Sequence, residues 1–191
     1  MLSFLVTAIS LGIGLAMDAF SVSMANAMIE NNMKKRRMSF IAGVYAAFQF
    51  LMPLLGYFAV RFAAEKFEAF ERAIPYIALL LLLYIGGKML IDGIKKRDEE
   101  AVKVLDTKTL LMQGVATSID ALSVGFTISA YSANDAVLAS AIIALVTFII
   151  CFTGLIIGKK FGHLLKNKAH ILGGIILIAI GIEIFIKGVF L

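Results

Sequence analysis

Apolar residues in this chain fall into six blocks of roughly 20, the length an α-helix needs to cross a bilayer. The blocks run about 2–28, 38–60, 74–94, 109–131, 136–158 and 171–190. None alternates with the two-residue period of a barrel strand. In hydrocarbon each backbone amide needs a partner inside its own segment, so helices are the expected form. Composition agrees, with 61% of residues hydrophobic and 16% charged, against roughly 45–50% and about 25% in soluble domains. A water-soluble enzyme or DNA-binding module does not fit that balance. The fold class read from the sequence is an all-α polytopic membrane protein.

The net charge of +5 does not point to nucleic acid, because the basic residues are not interleaved with aromatics on one face. They cluster between the apolar blocks. The connections after blocks 1, 3 and 5, together with Lys88 near the end of block 3, hold fourteen Lys and Arg, among them Lys34, Lys35, Arg36, Arg37, Lys95, Lys96, Lys159 and Lys160. The other side holds four: Arg61, Lys66, Arg72 and Lys187. With the basic side cytoplasmic, both termini of this multi-pass protein lie outside. Ala25-Asn26-Ala27 has the look of a signal-peptidase site, but no basic residue precedes it, so the first block reads as a retained span. Cys151 stands alone in an apolar block, which excludes a disulfide framework or zinc motif and makes it a packing residue.

Residues 95–108 are the one strongly polar linker. They divide the chain into a first three-helix repeat, 1–94, and a second, 109–191. The halves resemble each other. Met17-Asp18-Ala19-Phe20-Ser21-Val22 matches Ile119-Asp120-Ala121-Leu122-Ser123-Val124 at a spacing of 102, and Ile85-Gly86 echoes Ile180-Gly181 at a spacing of 95. Three is odd, so the second copy enters the membrane upside down. Six transmembrane helices as two inverted-topology three-helix repeats are the expected architecture, one shared by many secondary transporters.

Asp18 and Asp120 fall near the centres of their spans, where a carboxylate costs at least about 2.5–3.5 kcal/mol. Such residues face the bundle interior and bind something, and two at equivalent repeat positions would face each other across the pseudo-twofold axis. Oxygen-bearing neighbours share their helix faces. Around Asp120 these are Thr117, Ser123, Thr127 and Gln113; around Asp18 they are Ser21 and Asn26. Gln49 sits mid-span one turn before Pro53, which removes a helical hydrogen bond and frees the Gln49 carbonyl. The candidate metal ligands are therefore Asp18, Asp120, Ser21, Thr117, Ser123 and Gln49. Carboxylate, hydroxyl and carbonyl oxygens suit a hard divalent cation, and the spans hold no His. The rival reading is that the aspartates only join helices by hydrogen bonds to Ser or Thr.

The remaining embedded groups read as structural. Glu183 and Lys187 neutralise each other at i, i+4, as do Lys88 and Asp92. Met17 and Met24 pack, and His163 and His170 lie on the surface of a connection. There is no G-x-x-x-x-G-K-[ST], H-E-x-x-H or G-x-S-x-G, so the chain is not expected to be an enzyme and any transport is driven by a gradient.

Gly14-Leu15-Ala16-Met17-Asp18-Ala19-Phe20-Ser21-Val22-Ser23 pairs with Ala116-Thr117-Ser118-Ile119-Asp120-Ala121-Leu122-Ser123-Val124-Gly125. With Met52-Pro53-Leu54-Leu55-Gly56 and Ile85-Gly86-Gly87-Lys88-Met89, these motifs resemble those of the manganese efflux pump family, MntP, itself related to the lysine exporters. The resemblance covers essentially the whole chain. It implies a secondary transporter of the bacterial inner or plasma membrane exporting Mn(II) from the cytoplasm, with the membrane aspartates matching Asp18 and Asp120. Many relatives carry Glu where this sequence has Gln49, a departure that bears on ligand number and coupling. Mn(II) would be substrate, and no cofactor is expected. The partners are a divalent metal ion, the lipid bilayer and no nucleic acid, and a homo-oligomer is compatible with the sequence. The alternative is a passive divalent-cation channel, or an exporter of another small cation or amino acid.

Overall fold

Six helices account for nearly all of the described residues in the computed structural model: α1 (Leu2–Ile29), α2 (Lys35–Ile94), α3 (Thr107–Thr117), α4 (Ile119–Thr127), α5 (Ala133–Leu165) and α6 (Ala169–Phe190), with a 3-10 turn at Ile128–Ala130. The structure describes residues 2–30, 32–94, 105–165 and 169–190. For 61–74, and for further helical positions that include Asp92, His163, His170 and Lys187, it describes the backbone alone. Residues 95–104 of the expected linker, with Lys166 and Lys168, lie outside the described residues.

The protein is all-helical. α1, the stretch Lys35–Val60 of α2, and Ala133–Phe161 of α5 are each long and apolar enough to cross a membrane. α3 and α4 with the 3-10 turn add a fourth crossing if the bent pair is one span. Two shorter apolar stretches follow, Pro75–Lys88 and Ile171–Ile186. Large side chains point outward along these helices, with Leu80 67%, Leu145 62% and Ile149 55% exposed. In water each exposed leucine or isoleucine would forgo about 1.5–3 kcal/mol of burial; against lipid tails it forgoes nothing. This is a surface made for a bilayer.

Two sequence expectations differ from the structure. Blocks 2 and 3 are one unbroken helix, α2, of 60 residues. Residues 61–74 read RFAAEKFEAFERAI, which contains neither Gly nor Pro and is rich in strong helix formers, and the helix runs on through Pro75 as it does through Pro53. At 1.5 Å per residue α2 has about 90 Å of axis, some three hydrocarbon thicknesses. The six charges of that stretch separate two apolar parts. Block 4, expected as one span over 109–131, is instead broken. Its two helices meet at Ser118 with a bend of 42°.

α1 packs chiefly along α5, and α2 along α4, α5 and α6. Small residues set the spacing. A Cβ added at Gly154 would lie 2.8 Å from the Phe20 ring, and one at Gly158 would strike the Met24 backbone. Gly154 and Gly158 form the small-x-x-x-small spacing that lets membrane helices touch backbone to backbone. Gly56 and Gly125 meet in the same way where α2 crosses α4. The largest core cluster runs from Ile41, Tyr45 and Leu110 through Cys151 and Leu155 to Leu82 and Leu177. Cys151 is thus a buried apolar side chain, as expected.

Candidate metal centre

The break at Ser118 is built from hydroxyls that compete for helix carbonyls. Ser118 Oγ donates to the Gly114 carbonyl at 2.7 Å, and Thr117 Oγ1 donates to the Gln113 carbonyl at 2.9 Å. Such back-bonding bends helices. Ser118 leaves the helical region at φ −113°, ψ 9°, and its N–H turns to the Val115 carbonyl at 3.2 Å. A new helix then starts, and Asp120 lies in its first turn. The carboxylate accepts from the Ala121 N–H at 2.9 Å. It therefore stands at the positive end of a helix dipole, where a negative charge is stabilised.

Gln49 ties this break to α1. Its Nε2 donates to the Thr117 carbonyl at 3.0 Å and to the Leu15 carbonyl at 3.3 Å. Leu15 precedes Asp18 by three residues and Thr117 precedes Asp120 by three, at the same spacing of 102 that relates the two motifs. One amide thus bridges equivalent carbonyls of the two aspartate motifs. Both partners are acceptors, which fixes the orientation of the amide. Gln49 is fully buried, and no hydrogen-bond donor among the described residues reaches its Oε1. A buried acceptor in that condition costs about 1–3 kcal/mol. The sequence expectation concerned the Gln49 carbonyl freed by Pro53; the structure adds that the Gln49 side chain reaches both motifs.

The other candidates divide. Asp18 and Ser21 are half-buried on α1, Thr117 is buried, and Ser123 is exposed. Asp120 lines an open groove of about 620 Å³ against Thr7, Ser10, Leu11, Gly14 and Leu15 of α1. Asp18 is not among the lining residues, although it follows Gly14 by one turn. Among the described residues no three of His, Cys, Asp and Glu gather. A cation held here would therefore draw on carboxylates together with neutral oxygens, the donor set of hard metals such as Mg, Ca and Mn.

Asn26 and Gln113, which shared the aspartates' helix faces in the sequence, bond to each other instead. Asn26 Nδ2 donates to Gln113 Oε1 at 2.9 Å and to the Tyr45 hydroxyl at 2.8 Å. Gln113 Nε2 returns a bond to Asn26 Oδ1 at 3.2 Å, and the Tyr45 hydroxyl donates to Gln113 Oε1 at 3.0 Å. All three are buried. Beyond them Glu30 pairs with Arg37 at 3.5 Å and accepts the Leu105 N–H at 3.1 Å, while Arg37 donates to the Leu105 carbonyl. Sequence reasoning missed Tyr45 and Ser118. The signals were a tyrosine one turn from Gln49 in an apolar span, and adjacent Thr and Ser before an acid in an apolar span. Met17 is 53% exposed and Glu183 is exposed, so neither is placed with Gln49.

Comparison with known proteins gives this arrangement a family. The profile of the family described as "Putative manganese efflux pump" matches residues 32–185. A protein of Ruminiclostridium cellulolyticum named "Putative manganese efflux pump MntP" is 42% identical over 185 residues, covering 95% of both chains. One of Clostridium botulinum (strain Loch Maree), with the same name, is 44% identical and covers 96% of this chain and 94% of its own. One of Clostridium perfringens (strain SM101), again so named, is 39% identical over 92% and 91%. No solved structure matches. The chain belongs to the MntP family, a family of membrane transporters and not of enzymes.

Proposed function

We propose that this protein is a secondary transporter that exports Mn(II) from the cytoplasm. In this reading the ion binds between two inverted three-helix halves, at Asp18 and Asp120 with help from Gln49, Thr117, Ser21 and Ser123. The observation that carries the proposal is the Gln49 bridge. One buried amide joins carbonyls at equivalent positions of the two aspartate motifs, and its own oxygen has no donor. A cation is the partner that such an oxygen lacks. The relatives named as manganese efflux pumps supply the identity of the metal.

Two features support the inverted architecture. The broken α3–α4 pair puts half-helix ends and unwound backbone beside an acid, as discontinuous transporter helices do. Packing between α2 and α6 is reciprocal as well. A Cβ at Gly86 would lie 3.2 Å from Leu177 Cβ, and one at Gly181 would lie 3.0 Å from Leu82 Cβ. The spacing of 95 that relates Gly86 to Gly181 also relates Leu82 to Leu177. Contacts of this kind arise when a twofold axis runs between two segments. In this reading the chain turns within the charged 61–74 stretch, outside the membrane, so that the two apolar parts of α2 cross separately and both termini face outward.

The same arrangement supports alternating access. The Asn26–Tyr45–Gln113 layer and the Glu30–Arg37 pair close the basic, cytoplasmic end beneath the site. The groove at Asp120 runs along the N-terminal turns of α1, toward the other end. Rocking of the halves would open the bonded layer and close the groove. Protons returning through the same carboxylates are the natural counter-ion, so Mn(II) and protons should compete. The test is Mn(II) uptake by inside-out vesicles, with wild type beside Asp18→Asn and Asp120→Asn at equal insertion. Accumulation above the external level that both variants lose is the expected result. Equilibration without accumulation would mean a channel, and unchanged accumulation in the variants would remove the aspartates from the site.

A further inference from the structure

At the end of the bundle opposite the Asp120 groove, a pocket of about 570 Å³ opens between the α1–α2 connection and the last turns of α5. Lys34, Lys35, Lys159 and Lys160 stand around it. Its wall is apolar, formed by Met38 of α2 with Phe152 and Ile156 of α5. Lys159 is held in place by donating to the Met33 carbonyl at 3.0 Å. No acidic residue lines the pocket; the nearby Glu30 is engaged with Arg37 and Leu105.

A second observation concerns α2 itself. Its first turn carries no acid and holds Lys35, Arg36 and Arg37, directly after Lys34. That is positive charge at the positive end of a helix dipole, which is the unfavourable arrangement. A bound anion would reverse the penalty, because free N–H groups and cations would then point at the same charge. The ligand must also accept an apolar wall facing the membrane. Phosphate over acyl chain is the chemistry that meets both demands.

We propose that this pocket binds an anionic phospholipid. The headgroup phosphate would sit among Lys34, Lys35, Lys159 and Lys160 at the start of α2, and an acyl chain would run along Phe152 and Ile156. Basic pockets between membrane helices recognise acidic headgroups in this way. The bound lipid would tie the α1–α2 connection to α5. Only the choice of leaflet, the cytoplasmic one, rests on the orientation proposed above; the binding itself does not depend on transport.

The experiment uses the full chain purified in a maltoside detergent, with phosphatidylglycerol or phosphatidylcholine added to the micelles. Lipid retention and the thermal midpoint are read. Wild type should retain phosphatidylglycerol in preference and gain thermal stability from it. Lys34→Gln with Lys35→Gln, and Lys159→Gln with Lys160→Gln, should each weaken retention, by about fivefold per lysine. The matching Lys→Arg variants should keep it. Ile156→Trp, which fills the apolar wall and leaves every charge, should also lose it. Equal retention of the two lipids would overturn the proposal, as would an equal loss in Lys108→Gln, outside the pocket. Displacement of phosphatidylglycerol by millimolar inorganic phosphate would mean that the pocket takes free phosphate and not lipid. A transport failure would leave these readouts untouched, so the two readings fail separately.

Discussion

Two layers of buried amide side chains lie one helical turn apart in this bundle, and they are finished to different degrees. In the first, Asn26, Tyr45 and Gln113 satisfy one another with four hydrogen bonds across α1, α2 and α3. In the second, Gln49 spends its N–H groups on two backbone carbonyls and leaves its oxygen without a donor, beside a broken helix. Asn26, Gln113 and Gln49 offer the same functional group. The difference lies in what the fold supplies opposite each. A closed network holds three helices together and has no valence left for a ligand. An incomplete one carries a cost that only a visiting group can remove. In the proposed function the first layer is the lock and the second belongs to the site.

The strongest way to break that contrast is to neutralise the acids beside the second layer. Asp120→Asn or Asp18→Asn should abolish Mn(II) accumulation while leaving thermal stability near wild type, since a mid-membrane carboxylate is itself costly. The next largest effect separates the layers by their opposite responses. Gln113→Leu removes three hydrogen bonds, each worth about 0.6–1.7 kcal/mol in membrane bundles, so unfolding should become easier by roughly 2 kcal/mol. Manganese affinity, read by calorimetry on the purified protein, should stay within about twofold. Gln49→Leu loses two bonds but also removes the orphaned acceptor, whose cost of about 1–3 kcal/mol offsets them. Its stability should match or exceed wild type while its manganese affinity falls at least about tenfold, the loss of a single good contact. If Gln113→Leu weakened binding and Gln49→Leu did not, the assignment of lock and site would be reversed.

Much of this could be read from the residues alone. The first block, 2–28, and α1, Leu2–Ile29, differ by one residue at one end, because a long apolar run bounded by polar residues leaves a helix little freedom. The aspartate motifs were equally plain, since charge in hydrocarbon is conspicuous. The 42° bend was not. Ser118 and Thr117 could as easily pack against a neighbouring helix, and only the geometry reveals that their hydroxyls bond back to their own. The pairing of Asn26 with Gln113 was hidden for another reason. The residues are 87 positions apart, and each, read on its own helix, shares a face with an aspartate. That the Gln49 side chain reaches both aspartate motifs likewise depended on which segments lie opposite it. Local physics fixes helices and their charges; the chemistry of this centre is set by contacts between segments distant in sequence.

The smallest predicted effect tests whether the closed end is held by the amide layer or by the ion pair beyond it. Glu30 and Arg37 meet at 3.5 Å, with side chains 8% and 24% exposed. A partly exposed pair of this kind is worth about 0.2–1 kcal/mol and is screened by salt. Glu30→Gln keeps an oxygen to accept the Leu105 N–H and loses only the charge. Its unfolding free energy should therefore drop by about 0.5 kcal/mol at low ionic strength, and the gap to wild type should close in roughly 1 M NaCl, where the Debye length is about 3 Å. Gln113→Leu, a change among neutral groups, should show the same deficit at both salt concentrations. A larger, salt-insensitive loss in Glu30→Gln would move the lock from the buried amides to the rim. The cytoplasmic end would then open by releasing a charge pair, and the buried layer would serve only as packing.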